Sequence, residues 1–380
     1  MSISKLKVMT ILGTRPEIIR LSRTMALLDQ VCRHVCVHTG QNYDYELNEI
    51  FYRDLELRKP DHYLGVDAST LGRALGNILI ETERVLAQER PDAVLILGDT
   101  NSAIAGIMAK RMKIPLYHME AGNRCFDQNV PEETNRRIVD RIADFNLVYT
   151  EHARRHLLSE GFPHRRIYLT GSPLREVLEY YLPKIRASDV LRRLELEPGR
   201  FLLVSLHREE NVDHRDKLSG LVATLDRLAG AFGVPVIVST HPRTRKRLEA
   251  LGVGSSASLR FMPPFGFLDY NQLQLNARCV LSDSGSITEE ASILGFPAVT
   301  LRTAMERPEG LDTGAIILTG LDPDIIEASI RLVVAEHEAG RRPPIPADYQ
   351  ITNCAQRVVR LILGTSRLSN GWDGILRPGD

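Results

Sequence analysis

Lys7-Val8-Met9-Thr10-Ile11-Leu12-Gly13-Thr14-Arg15-Pro16-Glu17 decides how this chain is read. A mostly apolar run of strand length ends in a glycine, and Pro16 suits the first turn of a helix. Strand–turn–helix form aims unpaired backbone N–H groups at an anion from a helix N-terminus. A second string of the same form follows about 270 residues later: Ala277-Arg278-Cys279-Val280-Leu281, then Asp283-Ser284-Gly285-Ser286-Ile287-Thr288-Glu289-Glu290. The pair predicts two α/β domains closing on one phosphorylated ligand.

Neither string is a standard nucleotide fingerprint. No Gly-x-Gly-x-x-Gly follows the first strand, and neither string has the Gly-Lys-Ser/Thr of a P-loop. In the first, Gly13 permits close backbone approach and Arg15 offers a planar fork of donors to phosphate. The same residues also read as a plain strand–helix connection capped by Thr14. In the second, the N–H groups of Ser284 and Gly285 would take a diphosphate, leaving Glu290 to accept from ribose hydroxyls. The competing reading there is an N-cap at Ser284 or Ser286, with Glu289 closing a capping box.

Outward from these strings, apolar runs of strand length alternate with amphipathic helical stretches. Strands are expected at 7–12, 34–39, 93–97, 114–118, 145–149, 166–170, 201–206, 235–240, 278–282 and 297–301. Helices are expected at 17–30, 71–88, 101–112, 133–143, 216–232, 286–294 and 322–338. Strands apolar on both faces, separated by helices, predict parallel sheets covered on both sides. Gly171, Pro173, Pro183, Pro198 and Gly199 mark 171–199 as a linker. The expected division is therefore a Rossmann-like domain at 1–172, a second at 173–362, and a loosely held tail at 363–380 containing Trp372.

Composition narrows the function classes. The 380 residues suffice for two domains with their own cores. Lys+Arg and Asp+Glu both number 48, so no global field favours nucleic acid or an anionic membrane. The first seven residues carry no apolar stretch of signal length, and no run approaches a membrane span. Five cysteines make no disulfide framework, which reads as reduced thiols in a cytoplasmic protein. Cys32, His34, Cys36 and His38 alternate along one strand, a poor arrangement for zinc.

The middle of the chain carries the acid–base candidates. Asp99 follows Val94-Leu95-Ile96-Leu97-Gly98, and Glu120 follows Ile114-Pro115-Leu116-Tyr117-His118-Met119. Ligands of open parallel sheets bind beyond the carboxyl ends of the strands, so both carboxylates should face one cleft. Glu132, Glu133 and Arg136 follow Pro131; with Arg124 they could divide into acid, base and orienting charges. Singly, each is as readily a cap or a surface charge. His207 ends the strand at 201–206 and His241 the strand at 235–240. Each could touch a diphosphate, shuttle a proton or simply end a strand. Glu306-Arg307-Pro308-Glu309-Gly310 reads locally as a charged turn.

In order, Gly13-Thr14-Arg15-Pro16-Glu17, Gly98-Asp99-Thr100, His118-Met119-Glu120-Ala121-Gly122, Pro131-Glu132-Glu133 with Asn135-Arg136, His207-Arg208-Glu209, Asp283-Ser284-Gly285 with Glu289-Glu290, and Glu306-Arg307-Pro308-Glu309 resemble the bacterial non-hydrolysing UDP-N-acetylglucosamine 2-epimerases. The resemblance runs from about residue 6 to 362. It implies a glycosyltransferase-B-like pair of Rossmann domains facing a cleft, a homodimer, and no nicotinamide, metal or other cofactor. The implied chemistry removes the C2 proton of a UDP-N-acetylhexosamine, expels UDP to give a glycal, and re-adds UDP after C2 is protonated from the opposite face. By position, Asp99, Glu120, Glu132 and His207 would be catalytic. Arg15, Arg20, Arg136, His241, Ser284, Gly285, Glu290 and Arg307 would bind substrate.

Two departures bear on the substrate. Arg20 stands where many members have Lys. His38-Thr39-Gly40-Gln41-Asn42-Tyr43-Asp44-Tyr45 lacks the Gln-rich segment of members activated by a second substrate molecule. This segment and Gly122–Gln128 look more like a capsule and O-antigen branch that forms UDP-N-acetyl-L-fucosamine from the 6-deoxy-L-talose epimer. The rival readings are a UDP-sugar glycosyltransferase of the same fold, a hydrolysing 2-epimerase, and a non-catalytic UDP-sugar sensor.

Overall fold

The structure is a computed structural model and describes residues 6–40, 45–206, 215–240 and 242–375. It divides into two compact units, Met1–Tyr180 with Ala347–Asp380, and Tyr181–Pro346.

The first unit holds β1 (Lys7–Leu12), β2 (Arg33–His38), β3 (His62–Tyr63), β4 (Ala93–Leu97), β5 (Leu116–Ala121), β6 (Phe145–Val148) and β7 (Ile167–Leu169). They pair in parallel in the order β3-β2-β1-β4-β5-β6-β7. All five residues of β4 are buried, the signature of a central strand covered on both faces. The helix Arg15–Val31 buries Ile18, Leu21, Met25 and Leu28 at helical spacing. Pro16 lies in its first turn, where the absent N–H costs no bond.

The second unit repeats the plan with β8 (Leu202–Leu206), β9 (Val236–Thr240), β10 (Leu259–Met262), β11 (Cys279–Ser282), β12 (Ala298–Thr300) and β13 (Ile317–Leu318). Their order is β10-β9-β8-β11-β12-β13, again all parallel. Buried clusters cover both of its faces, one around Val204, Leu225, Val238 and Ile330, the other around Leu203, Ile237, Leu273 and Ile287. In each sheet the winding reverses at the strand beside the first one: at β1/β4 and at β8/β11. Those are the switch points at which open α/β sheets bind ligands.

Four sequence expectations change. The stretch expected as a linker forms the helices Leu174–Arg186 and Val190–Arg193, with Pro183 inside the first. The division falls at 180/181 instead of 172/173, within that first helix. The C-terminal stretch belongs to the first unit: the helix Cys354–Thr365 packs on the helix Arg15–Val31, buries Val358, Val359 and Ile362, and bonds Thr365 Oγ1 to the Tyr117 hydroxyl at 2.7 Å. Its apolar stripe needed a partner that is distant in sequence, which no local signal names. The tail is also held, at least to Ile375. Arg166 hydrogen-bonds Ser369 and pairs with Asp373, and its guanidinium lies 5.5 Å from the Trp372 ring. Among the described residues no helix is long and apolar enough to cross a membrane.

Candidate active site

At the carboxyl edge of the first sheet, the β1 turn leads into the helix Arg15–Val31 and closes on itself. One Glu17 carboxylate oxygen accepts from the N–H groups of Gly13 at 2.5 Å and Thr14 at 2.9 Å, and the other accepts from the Thr100 hydroxyl at 2.5 Å. An internal carboxylate therefore takes these two backbone donors, as in the capped strand–helix connection that the sequence also allowed. Burial pushes the Glu17 carboxyl up to about 7, against the lowering effect of those hydrogen bonds. Arg15 remains available. Burial lowers its pKa, its guanidinium stands 5.9 Å from the Phe51 ring, and among the described residues no carboxylate pairs with it. Arg20 is buried, with its guanidinium 5.7 Å from the Tyr149 ring.

Asp99 lies two residues beyond β4, and Glu120 lies near the end of the neighbouring strand β5. The Arg136 guanidinium lies 2.7 Å from the Asp99 carboxylate, and Asn135 donates to the Asp99 carbonyl at 3.0 Å. Glu120 has φ +66°, and the β5/β6 register shifts between Met119 and Ala121, so Glu120 sits in a bulge that re-aims its side chain. A Cβ on Gly98 would lie 3.5 Å from Glu120 Oε2, so the two turns touch. His118 locks them further, donating from Nε2 to the Gly98 carbonyl at 2.8 Å, with Nδ1 3.0 Å from Asp140. Glu132 is exposed in the first turn of the helix Pro131–Ile142.

Two neighbouring charges prove structural. Arg124 is buried between Asp140 and Glu160, at 2.7 Å from each. Burial opposes ionisation of Asp140, but the His118 contact and Arg124 hold its carboxyl below the usual range. Glu133 is buried against Arg136 at 3.1 Å and Arg137 at 2.8 Å. Arg124 is therefore spent inside the fold, whereas Arg136 is shared between Glu133 and Asp99.

At the carboxyl edge of the second sheet, Asp283 is buried, and Ser284, Gly285 and Ser286 lead into the helix Ile287–Leu294. The Ser284 and Ser286 hydroxyls lie 3.0 Å apart, and the Ser286 side chain makes no cap bond. Glu289 pairs with Arg307 at 3.1 Å instead of closing a capping box. Arg307, expected to bind substrate, is buried beside that carboxylate. Glu290 accepts from Gln274 at 2.6 Å. His207 and His241 lie outside the described residues.

Two residues escaped assignment from sequence. Glu17 was visible in its string but had no local sign of the Thr100 contact, 83 positions away. Arg302, just beyond β12, is 2% exposed, pairs with Glu306 at 2.5 Å, and has Nε and Nη1 buried without a partner among the described residues. A Cβ on Gly285 would meet Glu306 Oε1 at 2.5 Å and Arg302 Nη1 at 3.7 Å, which places both side chains beside the loop. Its signal was an arginine at the carboxyl end of a strand. Among the described residues no group of three His, Cys, Asp or Glu is arranged to hold a metal.

Two all-parallel units of this strand order define the class, a glycosyltransferase-B-like α/β protein. A family model described as UDP-N-acetylglucosamine 2-epimerase matches residues 27–363. The UDP-N-acetylglucosamine 2-epimerase of Methanocaldococcus jannaschii is 34% identical over 94% of this chain and 99% of its own length. The UDP-2,3-diacetamido-2,3-dideoxy-D-glucuronate 2-epimerase of Pseudomonas aeruginosa is 35% identical over 86% of this chain and 92% of its own. The solved UDP-N-acetylglucosamine 2-epimerase of Rickettsia bellii superposes with a TM-score of 0.89 at 44% identity, covering 97% of this chain and 98% of its own. The chain belongs to the UDP-N-acetylglucosamine 2-epimerase family, a family of isomerases.

Proposed function

We propose that this enzyme is a non-hydrolysing UDP-N-acetylhexosamine 2-epimerase that inverts C2 by elimination and re-addition of UDP. A carboxylate takes the C2 proton as the C1–O bond to UDP breaks, leaving a 1,2-glycal. A second group protonates C2 from the opposite face while UDP re-forms the C1–O bond, so atoms and charge balance over the cycle. The single observation that carries this is the pair of carboxylates, Asp99 and Glu120, at the carboxyl ends of the adjacent strands β4 and β5, one beside Arg136 and the other held at positive φ. Two-sided proton transfer needs at least two such groups. Glu132 and His207 are the further candidates for it. Arg15, Arg20 and Arg136 would offset charge on the departing diphosphate. Ser284, Gly285, Glu290 and His241 would hold UDP.

Which hexosamine is used follows less directly. Family members differ in their sugar, as the names of the Methanocaldococcus jannaschii and Pseudomonas aeruginosa relatives show. The segments at 38–45 and 122–128 favour the 6-deoxy-L-talose/L-fucosamine pair, in precursor synthesis for a surface polysaccharide.

Proton NMR in deuterated water tests both readings, with UDP-N-acetylglucosamine, the 6-deoxy-L-talose analogue and the diacetamido-glucuronate in separate tubes. The expected result is deuterium at C2, appearance of the epimer and little free UDP. The fastest tube names the sugar. Stoichiometric free UDP would mean hydrolysis. No exchange in any tube, with UDP still binding, would favour transferase or sensor.

A further inference from the structure

We infer that Glu17 is a positioning residue for Asp99: by tying the β1 turn to the Thr100 hydroxyl, it fixes the place of the neighbouring Asp99 carboxylate. The inference rests on the proton-transfer role proposed above for Asp99.

A helix-capping role explains only part of what Glu17 does. A capping glutamate needs the N–H groups of the first turn, and Glu17 has those of Gly13 and Thr14. It does not need to be 2% exposed, nor to bond a hydroxyl from a different strand end. Burying a carboxylate among neutral donors costs several kcal/mol. All the hydrogen bonds it makes among the described residues are to such donors. Capping alone therefore leaves the burial of Glu17 and its bond to Thr100 unexplained.

The surroundings make the clamp stiff. Thr100 also caps the turn Asn101–Ala105, accepting from the Ser102 N–H at 3.2 Å. The Ser102 and Thr39 hydroxyls bond at 3.0 Å, and a Cβ on Gly13 would collide with both, at 2.3 and 2.0 Å. The β1 turn is thus wedged against the loop that carries Asp99. From the other side, the helix Pro131–Ile142 grips the Asp99 carbonyl through Asn135 and the carboxylate through Arg136. Asp99 is held between two clamps, and Glu17 is the one that reaches the following residue.

Kinetics and UDP affinity of Glu17→Gln, Thr100→Val, Thr100→Ser and Asp99→Asn test this. The expected result is a kcat roughly 10- to 100-fold lower in Glu17→Gln and Thr100→Val, the range that a small misplacement of a catalytic group produces. UDP dissociation constants should stay within about two-fold, and Thr100→Ser, which keeps the hydroxyl, should restore kcat. Adding Glu17→Gln to Asp99→Asn should cost less than about three-fold more, because nothing remains to be positioned. A purely structural Glu17 would lower the melting temperature and leave kcat of the folded enzyme unchanged. That result in Thr100→Val, with Asp99→Asn inactive, overturns the inference alone; should Glu17→Gln fail to fold, Thr100→Val decides. Full activity in Asp99→Asn overturns the inference together with the reading of Asp99.

Discussion

The Arg136 guanidinium sits 2.7 Å from the Asp99 carboxylate and is itself held by the buried Glu133 at 3.1 Å. Glu133 in turn pairs with Arg137, Arg137 with Glu160 and Glu160 with Arg124. A chain of alternating charge therefore runs through the helix Pro131–Ile142 and ends on Asp99. Because Glu133 fixes one side of Arg136, that guanidinium presents a set geometry to Asp99, which a flexible surface arginine would not.

Replacing Arg136 by Lys should therefore not be conservative. One ammonium cannot serve two carboxylates in the places of a planar fork, so turnover should fall about ten-fold or more. A lysine variant with wild-type kcat would rule the shared pairing out as a functional feature.

Asp99→Asn, Glu120→Gln and Glu132→Gln should each slow turnover by about 10²–10⁴-fold while calorimetry still detects UDP binding. Normal rates in all three would remove the proton-transfer assignment. Since Glu132 is exposed and the other two are half-buried, a loss confined to Asp99 and Glu120 would assign Glu132 to the surface.

Glu120 has φ +66°, a region that costs an L-residue about 1–2 kcal/mol and glycine little. Glu120→Gly and Glu120→Ala both remove the carboxylate, so their difference isolates the backbone. The glycine variant should be the more stable by about 1 kcal/mol in urea unfolding. Equal stability would mean that the bulge relaxes and is not held by the fold.

Glu17 gives a pH signature. Its carboxyl is raised to about 7 by burial, above the ordinary 4.5 that it regains on unfolding. Between those values the folded chain holds a proton that the unfolded chain has released, so raising the pH costs stability, in total roughly 3 kcal/mol. This contribution is fully favourable below pH 4.5 and fades as pH rises through 7. The stability of Glu17→Gln relative to wild type should therefore improve from pH 5 to pH 8 in parallel urea titrations. Two curves that stay parallel would show that Glu17 does not titrate there.

Tyr117→Phe tests the seat of the C-terminal helix. It removes the bond to Thr365 Oγ1 from a fully buried ring and should cost about 0.5–1.5 kcal/mol. No loss of stability would mean that the bond contributes nothing to docking of the helix Cys354–Thr365.

Read alone, the sequence determined the class of fold and the candidates for the chemistry. Strands such as β4 and β8 are apolar on both faces because helices cover both sides, and that pattern is local. Asp99, Glu120, Ser284 and Gly285 became candidates because each lies at the end of such a strand, and a parallel sheet brings all its carboxyl ends to one edge. Residues 41–44, 207–214 and 241 carry two of the expected histidines and lie outside what the structure describes. Only the tertiary structure decided which charges are spent inside the fold. Arg124 reads like a site residue, yet it is neutralised by Asp140 and Glu160, partners that packing supplies at separations that sequence does not encode, whereas Glu133 is neutralised by Arg136 and Arg137 at helical spacing. The same holds for the helix Cys354–Thr365, whose apolar stripe announces burial but not against what. Glu17 shows the difference within one residue: its bonds to Gly13 and Thr14 follow from helical spacing, while its bond to Thr100 exists because β1 and β4 are neighbours in the sheet.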